Sequence, residues 1–328
     1  MSFDPNAASE KKSGIFGLPS KEANAKIIFI PVPWEATTSY GGGTSKGPSA
    51  IFEASKQVDL FDLELGDFYE AGLFMLPESA NVKKWNKEAK AAAKKKSLKR
   101  VNELGHKIND FVFTETRRVL EAGKIPAIVG GDHSVPFGAF QAIAEKYPSY
   151  GILHFDAHSD TRKAFEGFTW SHASIFHNVL EKIPACKKLV QVGIRDFCEE
   201  EFNYCRSQKE RVKTYYDLEL SQRKYRGETW EKIVSEIISE LPENVWISFD
   251  IDGLDPRFCP NTGTPVPGGL DFNEALFIIS TLAKSGRKII GFDLNEVAPD
   301  PSGASEWDAN VGARLLYKMA GWCLKSWG

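Results

Sequence analysis

Leu153-His154-Phe155-Asp156-Ala157-His158-Ser159-Asp160 is an apolar run that ends in three potential metal ligands at alternate positions. In an extended strand, residues two apart point to the same face, so Asp156, His158 and Asp160 can aim at one point in space. Two carboxylates and an imidazole converging there would repel one another, or shift their pKa values, unless a cation compensated the charge. The stretch therefore predicts a buried strand that delivers a metal site at its end.

Two further segments repeat this arrangement of an apolar run followed by potential ligands. The apolar residues 245–249 end in Asp250 and Asp252, and His133 follows the apolar residues 125–129 after a short Gly-Gly-Asp segment. An isolated acid pair or an isolated Gly-Gly-Asp-His is more often a turn, a cap or a loop. The three segments together favour metal binding, with the candidate ligands His133, Asp156, His158, Asp160, Asp250 and Asp252.

The number and type of these side chains favour two ions over one. Two imidazoles and four carboxylates are too many for one small ion, whereas two ions that share a bridging carboxylate would use them all. The ligand set is rich in oxygen, contains nitrogen and lacks thiolate, which favours a hard-to-borderline divalent metal. We therefore expect two Mn²⁺ ions per subunit, with Ni²⁺, Co²⁺ and Zn²⁺ as alternatives.

Short apolar runs alternate with longer helical patterns along the chain, which is typical of a parallel sheet covered by helices on both faces. The candidate ligands follow the carboxyl ends of the predicted strands, where open α/β sheets place their sites. The sequence thus predicts an α/β fold, a three-layer α/β/α sandwich around a central, mainly parallel sheet. The predicted strands are residues 26–32, 72–76, 126–130, 150–155, 189–193, 245–250 and 288–294.

Length and composition agree with one sizeable domain. A chain of 328 residues that is 42% hydrophobic can bury a large core. We expect a single domain over residues 27–328, preceded by a flexible N-terminal arm over residues 1–26 that lacks the apolar stretch of a signal peptide. The net charge of −3 implies no nucleic-acid partner, and the Lys-rich residues 83–100 are interpreted as a solvated helix face. Without an apolar run of membrane-spanning length, and with five scattered cysteines, the protein is expected to be cytoplasmic and not to bind membranes.

In these segments the chain resembles the ureohydrolases, the arginase and agmatinase family. The family's three signature segments are matched by residues 130–134 (Gly-Gly-Asp-His-Ser), 156–160 (Asp-Ala-His-Ser-Asp) and 248–256 (Ser-Phe-Asp-Ile-Asp-Gly-Leu-Asp-Pro), with supporting matches at residues 41–51, 262–270 and 293–299. The resemblance runs from about Ile27 to the C-terminus. It implies an arginase-like fold, a catalytic domain with two metal ions, a trimeric or hexameric homo-oligomer, and release of urea and an amine from a small guanidino substrate.

The resemblance also implies roles for three catalytic residues. Asp160, besides binding metal, would accept a hydrogen bond from the attacking hydroxide and help to move its proton. Glu296, just beyond the last predicted strand, would pair with the guanidinium group, with a structural salt bridge as the alternative. His172 would act as a proton shuttle, since an ordinary histidine pKa of about 6.5 suits proton transfer near neutral pH. Without the resemblance, a loop histidine would more often be an ordinary surface residue.

The remaining histidines are interpreted as structural. His154 is expected to face away from Asp156 in the strand alternation, His177 to lie on the helix that follows, and His106 to be an ordinary helix residue.

The substrate is less closely specified. By the resemblance, the arginase subfamily holds the α-carboxylate and α-amino groups of its substrate with polar residues after the Asp-x-His-x-Asp segment, typically an Asn two positions on. Here that position is Arg162. This departure favours agmatine, which would be hydrolysed to putrescine and urea in polyamine biosynthesis. Arginase, guanidinobutyrase and guanidine hydrolase activities are the alternatives. Arg162 is expected either to contact the substrate or to pair with Glu166, four residues away. Trp307 could narrow the pocket and favour a small guanidino compound.

Three other classes of protein fit the residues less well. A calcineurin-like phosphoesterase has its Asp-x-His segment first and completes its site with later histidines, whereas here no histidine follows His177. A single-zinc deacetylase of related fold would leave His133 and Asp252 without a role. A ureohydrolase-like metal-binding protein without activity would be expected to lack ligands or Glu296, and none of these residues is missing.

Overall fold

The computed structural model describes residues 3–10, 12–38 and 41–328. Its eight strands are β1 (Ile27–Val32), β2 (Leu73–Met75), β3 (Ile125–Gly130), β4 (Tyr150–Phe155), β5 (Cys186–Ile194), β6 (Val212–Tyr216), β7 (Asn244–Asp250) and β8 (Lys288–Asn295). They form one sheet in the order β2-β1-β3-β8-β7-β4-β5-β6, and every neighbouring pair is parallel.

Helices connect the strands, as parallel pairing requires. They are α1 (Gly47–Ser55), α2 (Ala80–Lys94), α3 (Leu98–Glu121), α4 (Phe137–Lys146), α5 (Ile175–Lys182), α6 (Glu199–Ser207), α7 (Asp217–Tyr225), α8 (Trp230–Ser239), α9 (Phe272–Lys284) and α10 (Trp307–Lys325). Among the described residues, no helix has the length and apolarity needed to cross a bilayer.

Two hydrophobic cores lie on opposite faces of the sheet. In β1, Ile27 and Phe29 belong to the core that includes residues of α1, α8, α9 and α10. Ile28 and Ile30 belong to the other core, which includes residues of α2, α3, α4 and α5. Alternate residues of a strand point to opposite faces, so a sheet covered on both sides buries every position of its central strands. The predicted three-layer α/β/α fold is confirmed, and the sheet is wholly parallel.

The sheet order brings the predicted site segments together. β3, β8, β7 and β4 are consecutive neighbours in the middle of the sheet, and all four end at the same edge because they are parallel. His133 follows β3, Glu296 follows β8, Asp250 ends β7 and Asp156 follows β4. Segments that are more than 100 residues apart in sequence therefore meet at one edge.

The strand predictions missed β6. This edge strand buries only Val212 and Tyr215, whereas Lys213 is exposed and Thr214 is half-buried. An edge strand has one free side and faces solvent, so it carries polar residues and lacks the continuous apolar run that identified the central strands. β5 also begins at Cys186, three residues before its predicted start, because the exposed Lys187 interrupts the apolar pattern there.

Part of the predicted N-terminal arm is packed against the fold. Ile15, Phe16 and Leu18 are buried in the same core as α10, and the Phe16 ring lies 4.8 Å from the Tyr317 ring. These residues therefore depart from the prediction of a flexible arm, because three apolar side chains find a groove that sequence periodicity does not reveal. Met1, Ser2 and Lys11 of the arm lie outside the described residues. The single domain over residues 27–328 stays a prediction.

Candidate active site

Two glycines allow the loops that carry the site to pack closely. A Cβ atom on Gly131 would lie 1.8 Å from the carbonyl oxygen of Trp34, and one on Gly253 would lie 2.7 Å from the backbone nitrogen of Asp156. Neither separation can accommodate a side chain. Gly131 thus lets the loop that holds His133 pass against the loop after β1, and Gly253 brings the loop after β7 against the loop after β4.

His133 lies at the centre of one group of potential ligands. Its Nδ1 atom is 3.1 Å from Asp156 Oδ2, 3.3 Å from Asp250 Oδ2 and 3.4 Å from Asp160 Oδ2. All four side chains are buried. Imidazole nitrogen and carboxylate oxygens are the donor atoms that divalent cations of this type bind, and here they are gathered within a few ångströms.

His158 forms a second group beside the first. Its Nδ1 atom lies 3.1 Å from Asp252 Oδ2 and 3.4 Å from Asp156 Oδ1. The two oxygens of Asp156 therefore face different histidines, His133 through Oδ2 and His158 through Oδ1. The structure places all six predicted ligands together, with Asp156 shared between the two groups.

The acids of this cluster outnumber the positively charged groups beside them. Burial and the charge of Asp156 raise the pKa of Asp160 to about 7. Burial, with Asp252 and Asp156 nearby, raises the pKa of Asp250 well above its ordinary value. The pKa of Asp156 is held well below its ordinary value because its hydrogen bonds and charge interactions with three histidines outweigh its burial. A cluster in which acids compete for so few positive partners is suited to a bound cation.

The two histidines of the cluster gain basicity from the same acids. Burial disfavours their charged forms, but contacts with Asp156, Asp160 and Asp250 outweigh it and raise the pKa of His133 well above its ordinary value. Asp252 and Asp156 likewise raise the pKa of His158 to about 12 despite burial. In the metal-free chain both rings are therefore protonated on both nitrogens and positively charged at neutral pH.

Glu296 lies beside this cluster, and only one of its two carboxyl oxygens has a hydrogen-bond partner among the described residues. Its Oε1 atom accepts the backbone N–H of His133 at 3.0 Å. Within residues 3–10, 12–38 and 41–328, no donor lies within hydrogen-bond distance of the buried Oε2 atom. Burial and the charges of Asp250 and Asp132 raise the pKa of Glu296 well above its ordinary value. Glu296 and Asp160 also have positive φ angles, 60° and 55°, which non-glycine residues adopt at an energetic cost that is often found at functional sites.

His172 is held by a hydroxyl that the sequence did not single out. Its Nδ1 atom lies 3.4 Å from Thr37 Oγ1 and 3.4 Å from Ser171 Oγ. Thr37 Oγ1 donates its proton to Asp132 Oδ2 at 3.2 Å, so it offers a lone pair to the ring. Burial, followed by the charge of His158, lowers the pKa of His172 to about 4. The ring is therefore neutral at pH 7, and its pKa lies below the ordinary value on which the sequence argument for a proton shuttle rested.

A second group of polar residues behind the cluster was also missed. His133 Nε2 lies 2.9 Å from Ser248 Oγ, and Ser248 Oγ donates to Asp293 Oδ1 at 2.9 Å. Asp293 also accepts the indole N–H of Trp246. Ser248 precedes Asp250 by two residues, so strand alternation alone places it on the face of the ligands. These hydrogen bonds hold the ring of His133 with Nδ1 directed at the acids, as the hydrogen-bond partners of metal-binding histidines commonly do.

The interpretation of His154 was wrong in its orientation. Its Nε2 atom lies 2.8 Å from Asp156 Oδ2, because residues two apart along an extended chain share a face and Asp156 directly follows β4. Burial lowers the pKa of His154 to about 4. His177 lies in α5, as expected, and His106 is an exposed residue of α3 that lies 3.4 Å from Asp110.

Arg162 pairs with a different acid from the one expected. Its Nε atom lies 3.3 Å from Oε2 of the buried Glu201 in α6, and its guanidinium group lies over the Phe165 ring at 5.1 Å. The expected partner was Glu166, but the chain turns sharply there, with a φ of 51° at Glu166, and the helical spacing assumed for the pair does not form. Trp307 donates its indole N–H to the carbonyl of Arg257 at 2.9 Å, so a role for Trp307 in narrowing the pocket stays a prediction.

Comparison with known proteins agrees with this geometry. The model of the arginase family matches residues 25–321. The N(1)-aminopropylagmatine ureohydrolase of Synechocystis sp. is 32% identical, over 93% of this chain and 90% of that protein. The agmatinase of Bacillus anthracis is 31% identical, over 98% of this chain and 99% of that protein. Among solved structures, the agmatine ureohydrolase of Thermoplasma volcanium has the same fold, with a TM-score of 0.76 at 23% identity, covering 97% of this chain and 96% of its own.

Proposed function

Because the chain belongs to the arginase family, we propose that it hydrolyses agmatine to putrescine and urea. It is a hydrolase that acts on a C–N bond of a guanidino compound, as family membership and the full-length relatives show. The identity of the substrate, the metal and the residues that perform each step are the parts that this proposal adds.

The main support for a guanidino substrate in this site is the unpaired Oε2 atom of Glu296. A carboxylate that is buried with one free oxygen is costly unless a cation or a donor reaches it. A guanidinium group can do both, since its planar N–H groups match a carboxylate in geometry and charge. A guanidinium at Oε2 would also lie near the cluster of His133 and Asp250, because Oε1 of the same carboxylate accepts the backbone N–H of His133 and the charge of Asp250 acts on Glu296. The substrate's central carbon would then be close to the proposed metal centre.

The donor set fits two divalent ions. Six side chains with two imidazoles and four carboxylates form two groups that share Asp156. Burial and the charge of neighbouring acids raise the pKa of Asp160 and Asp250, which a bound cation would oppose. We propose Mn²⁺ as the metal, with Ni²⁺, Co²⁺ and Zn²⁺ as alternatives, on ligands His133, Asp156, His158, Asp160, Asp250 and Asp252. Bound there, the ions would lower the pKa of water so that a nucleophile exists at neutral pH.

The chain's own residues would carry the remaining steps. Asp160 would accept a hydrogen bond from the attacking water and help to move its proton. Glu296 orients the guanidinium so that the water oxygen can form its bond to the central carbon. His172 would pass a proton to the amine nitrogen as the C–N bond breaks. The products are urea and the protonated amine.

The contacts of Arg162 favour a substrate without a carboxylate. Glu201 neutralises the guanidinium of Arg162, and Phe165 covers one of its faces. An arginine that is already paired with a buried acid is a poor receptor for a substrate carboxylate, because binding would require the existing pair to break. Arginine and 4-guanidinobutyrate carry such a group, whereas agmatine does not. This observation supports agmatine over the arginase and guanidinobutyrase alternatives.

A panel of guanidino compounds tests the proposal. The Mn²⁺-loaded protein is incubated with agmatine, N(1)-aminopropylagmatine, arginine, 4-guanidinobutyrate, 3-guanidinopropionate and guanidine, and urea release is measured. We expect the highest kcat/KM with agmatine. Another compound as the best substrate would overturn the assignment to agmatine, and no urea from any of them would overturn the proposed function.

Substitution of Glu296 gives a second test. Glu296→Gln should lower kcat/KM about a hundredfold or more, because it removes the charge that pairs with the guanidinium, and should leave metal binding nearly unchanged. The matched control is Glu306→Gln, at an exposed position a short distance along the chain, which should retain wild-type kinetics. Full activity of the Glu296 variant would refute the role of this carboxylate.

We further propose that the protein is a cytoplasmic homo-oligomer, trimeric or hexameric. Two exposed apolar side chains close together in sequence support association, since Phe61 is 70% and Leu63 is 92% exposed, and exposed apolar patches often mark subunit contacts. Light scattering coupled to size-exclusion chromatography measures the mass directly. A monomer of 36.5 kDa at micromolar concentration would contradict the proposal.

A further inference from the structure

His154 is a buried histidine beside the proposed metal centre whose two ring nitrogens both have partners. Its Nε2 atom lies 2.8 Å from Asp156 Oδ2, and its Nδ1 atom lies 3.2 Å from Gln191 Nε2. The side chains of His154, Asp156 and Gln191 are all fully buried. Because His133, His154 and Asp156 lie close enough to hold one ion, His154 could be either a ligand or a support for one.

The hydrogen bonds of Gln191 decide between these two roles. Gln191 Nε2 donates to the carbonyl oxygen of Ser159 at 2.8 Å, and Gln191 Oε1 accepts the hydroxyl of Thr214 at 3.0 Å. The reverse amide orientation would place an oxygen against the Ser159 carbonyl, so the nitrogen must face Ser159 and His154. An amide N–H then points at His154 Nδ1, which must offer a lone pair. The ring proton is therefore on Nε2, from which it is donated to Asp156.

This tautomer leaves His154 no lone pair for a metal on the side of the cluster. Nε2 carries the proton and faces Asp156, whereas the lone pair of Nδ1 is used by Gln191, which lies in the next strand of the sheet. Asp156 is also the carboxylate that faces both His133 and His158. Holding its Oδ2 atom in place would therefore orient the one acid that the two groups share.

We propose that His154 is a positioning residue, in which Gln191 sets the tautomer of the ring and the ring donates Nε2–H to Asp156 to orient this shared carboxylate for metal binding. The inference rests on the proposed function only in that Asp156 is taken to bind metal. Outer hydrogen bonds of this kind typically change metal affinity by about 10- to 100-fold.

A purely structural role is the alternative, and the packing of His154 makes it testable. The His154 ring lies 4.1 Å from the Phe176 ring and 5.2 Å from the His133 ring. Phenylalanine at this position would keep an aromatic ring in that stack but could not donate to Asp156. Glutamine would lose the ring but keep an N–H at about the reach of Nε2. The His154→Phe and His154→Gln variants therefore separate packing from hydrogen bonding.

The first experiment reads the tautomer directly. The full-length, metal-free protein is labelled with ¹⁵N-histidine, and two-bond ¹H–¹⁵N correlations are recorded at neutral pH, with the His154 signals identified as those missing in His154→Gln. We expect a neutral ring protonated at Nε2. A neutral ring protonated at Nδ1, or a charged ring, would overturn the proposal without any reference to enzyme activity.

The second experiment measures Mn²⁺ affinity by calorimetry. His154→Phe should bind Mn²⁺ about 10- to 100-fold more weakly than the wild type, whereas His154→Gln should stay within about threefold of it. Gln191→Met, which removes the donor that sets the tautomer, should weaken binding in the same direction as His154→Phe. Thermal unfolding of each metal-free variant shows that the variants compared are folded.

The outcomes separate this inference from the proposed function. Wild-type affinity in His154→Phe, or equal losses in the Phe and Gln variants, would overturn the positioning role. Failure of the wild-type protein to bind Mn²⁺ or another of the divalent metals would overturn the proposed metal centre, and the measurement of the tautomer would still decide the orientation of the ring.

Discussion

Glu296 and His133 are joined by a hydrogen bond in which the backbone N–H of His133 donates to Glu296 Oε1 at 3.0 Å. A second bond runs in the opposite direction, from the backbone N–H of Glu296 to the carbonyl of Gly131 at 2.8 Å. The loops after β3 and β8 are thereby locked together. The proposed guanidinium receptor thus keeps a fixed distance from a proposed metal ligand, which is the geometric condition for attack on a bound substrate.

Gly263→Ala should interfere with the substrate at Glu296. A Cβ atom on Gly263 would lie 3.3 Å from Glu296 Oε2, the unpaired oxygen. We expect KM for the guanidino substrate to rise about tenfold or more, because the methyl group would crowd a guanidinium bound there, with Mn²⁺ affinity unchanged. Gly42→Ala is the matched control, since among the described residues no atom beyond its own chain neighbours would lie within 4 Å of its Cβ. Unchanged kinetics in the Gly263 variant would place the substrate elsewhere.

His172→Ala should slow turnover without releasing metal. A proton-transfer residue contributes about 10²- to 10⁴-fold to a rate, so kcat should fall by that factor while metal content per subunit stays constant. His106→Ala provides the control, because His106 is exposed on α3. If kcat and the pH profile of the His172 variant match those of the wild type, another group moves the proton.

Metal binding should release protons at neutral pH. Nearby acids raise the pKa of His133 and His158 in the metal-free chain, and a metal can bind only the unprotonated nitrogen. Each proton displaced makes the logarithm of the apparent affinity rise by about one per pH unit, so binding should tighten from pH 6 to pH 8. Calorimetry in two buffers of different ionisation enthalpy counts the protons. Proton uptake, or affinity that falls with rising pH, would contradict the pKa directions.

Phe16→Ala should destabilise the whole domain. Phe16 is 1% exposed, and its ring lies 4.8 Å from Tyr317 and 5.9 Å from Phe29. Removal of a buried phenylalanine side chain costs about 3–5 kcal/mol, which should lower the urea midpoint at a fixed metal concentration. Phe3→Ala, at a position that is 43% exposed, should change stability by about 0.5 kcal/mol or less. Equal midpoints for the two variants would restore the interpretation of residues 1–26 as a loose arm.

The errors in the sequence predictions have two origins. The orientation of His154 could have been predicted from the sequence, because the period of two that aligns Asp156 with His158 also aligns His154 with Asp156. The partner of Arg162 was not, because Glu201 lies on α6, 39 positions along the chain from Arg162. The burial of Phe16 beneath α10 depends in the same way on distant residues.

By itself, the sequence determined the layered α/β fold and the chemical type of the site. The apolar strand runs and the ligands that follow them are local properties, so Asp156, His158 and Asp160 could be assigned to one edge of the sheet before any contact was known. Tertiary structure alone decided the sheet order that makes β3, β8, β7 and β4 neighbours, the sharing of Asp156 between two groups, and the Gln191 amide that orients His154. The physical reason is that periodicity records how each segment meets its nearest surroundings, whereas these contacts join residues that only the packing of the complete sheet brings together.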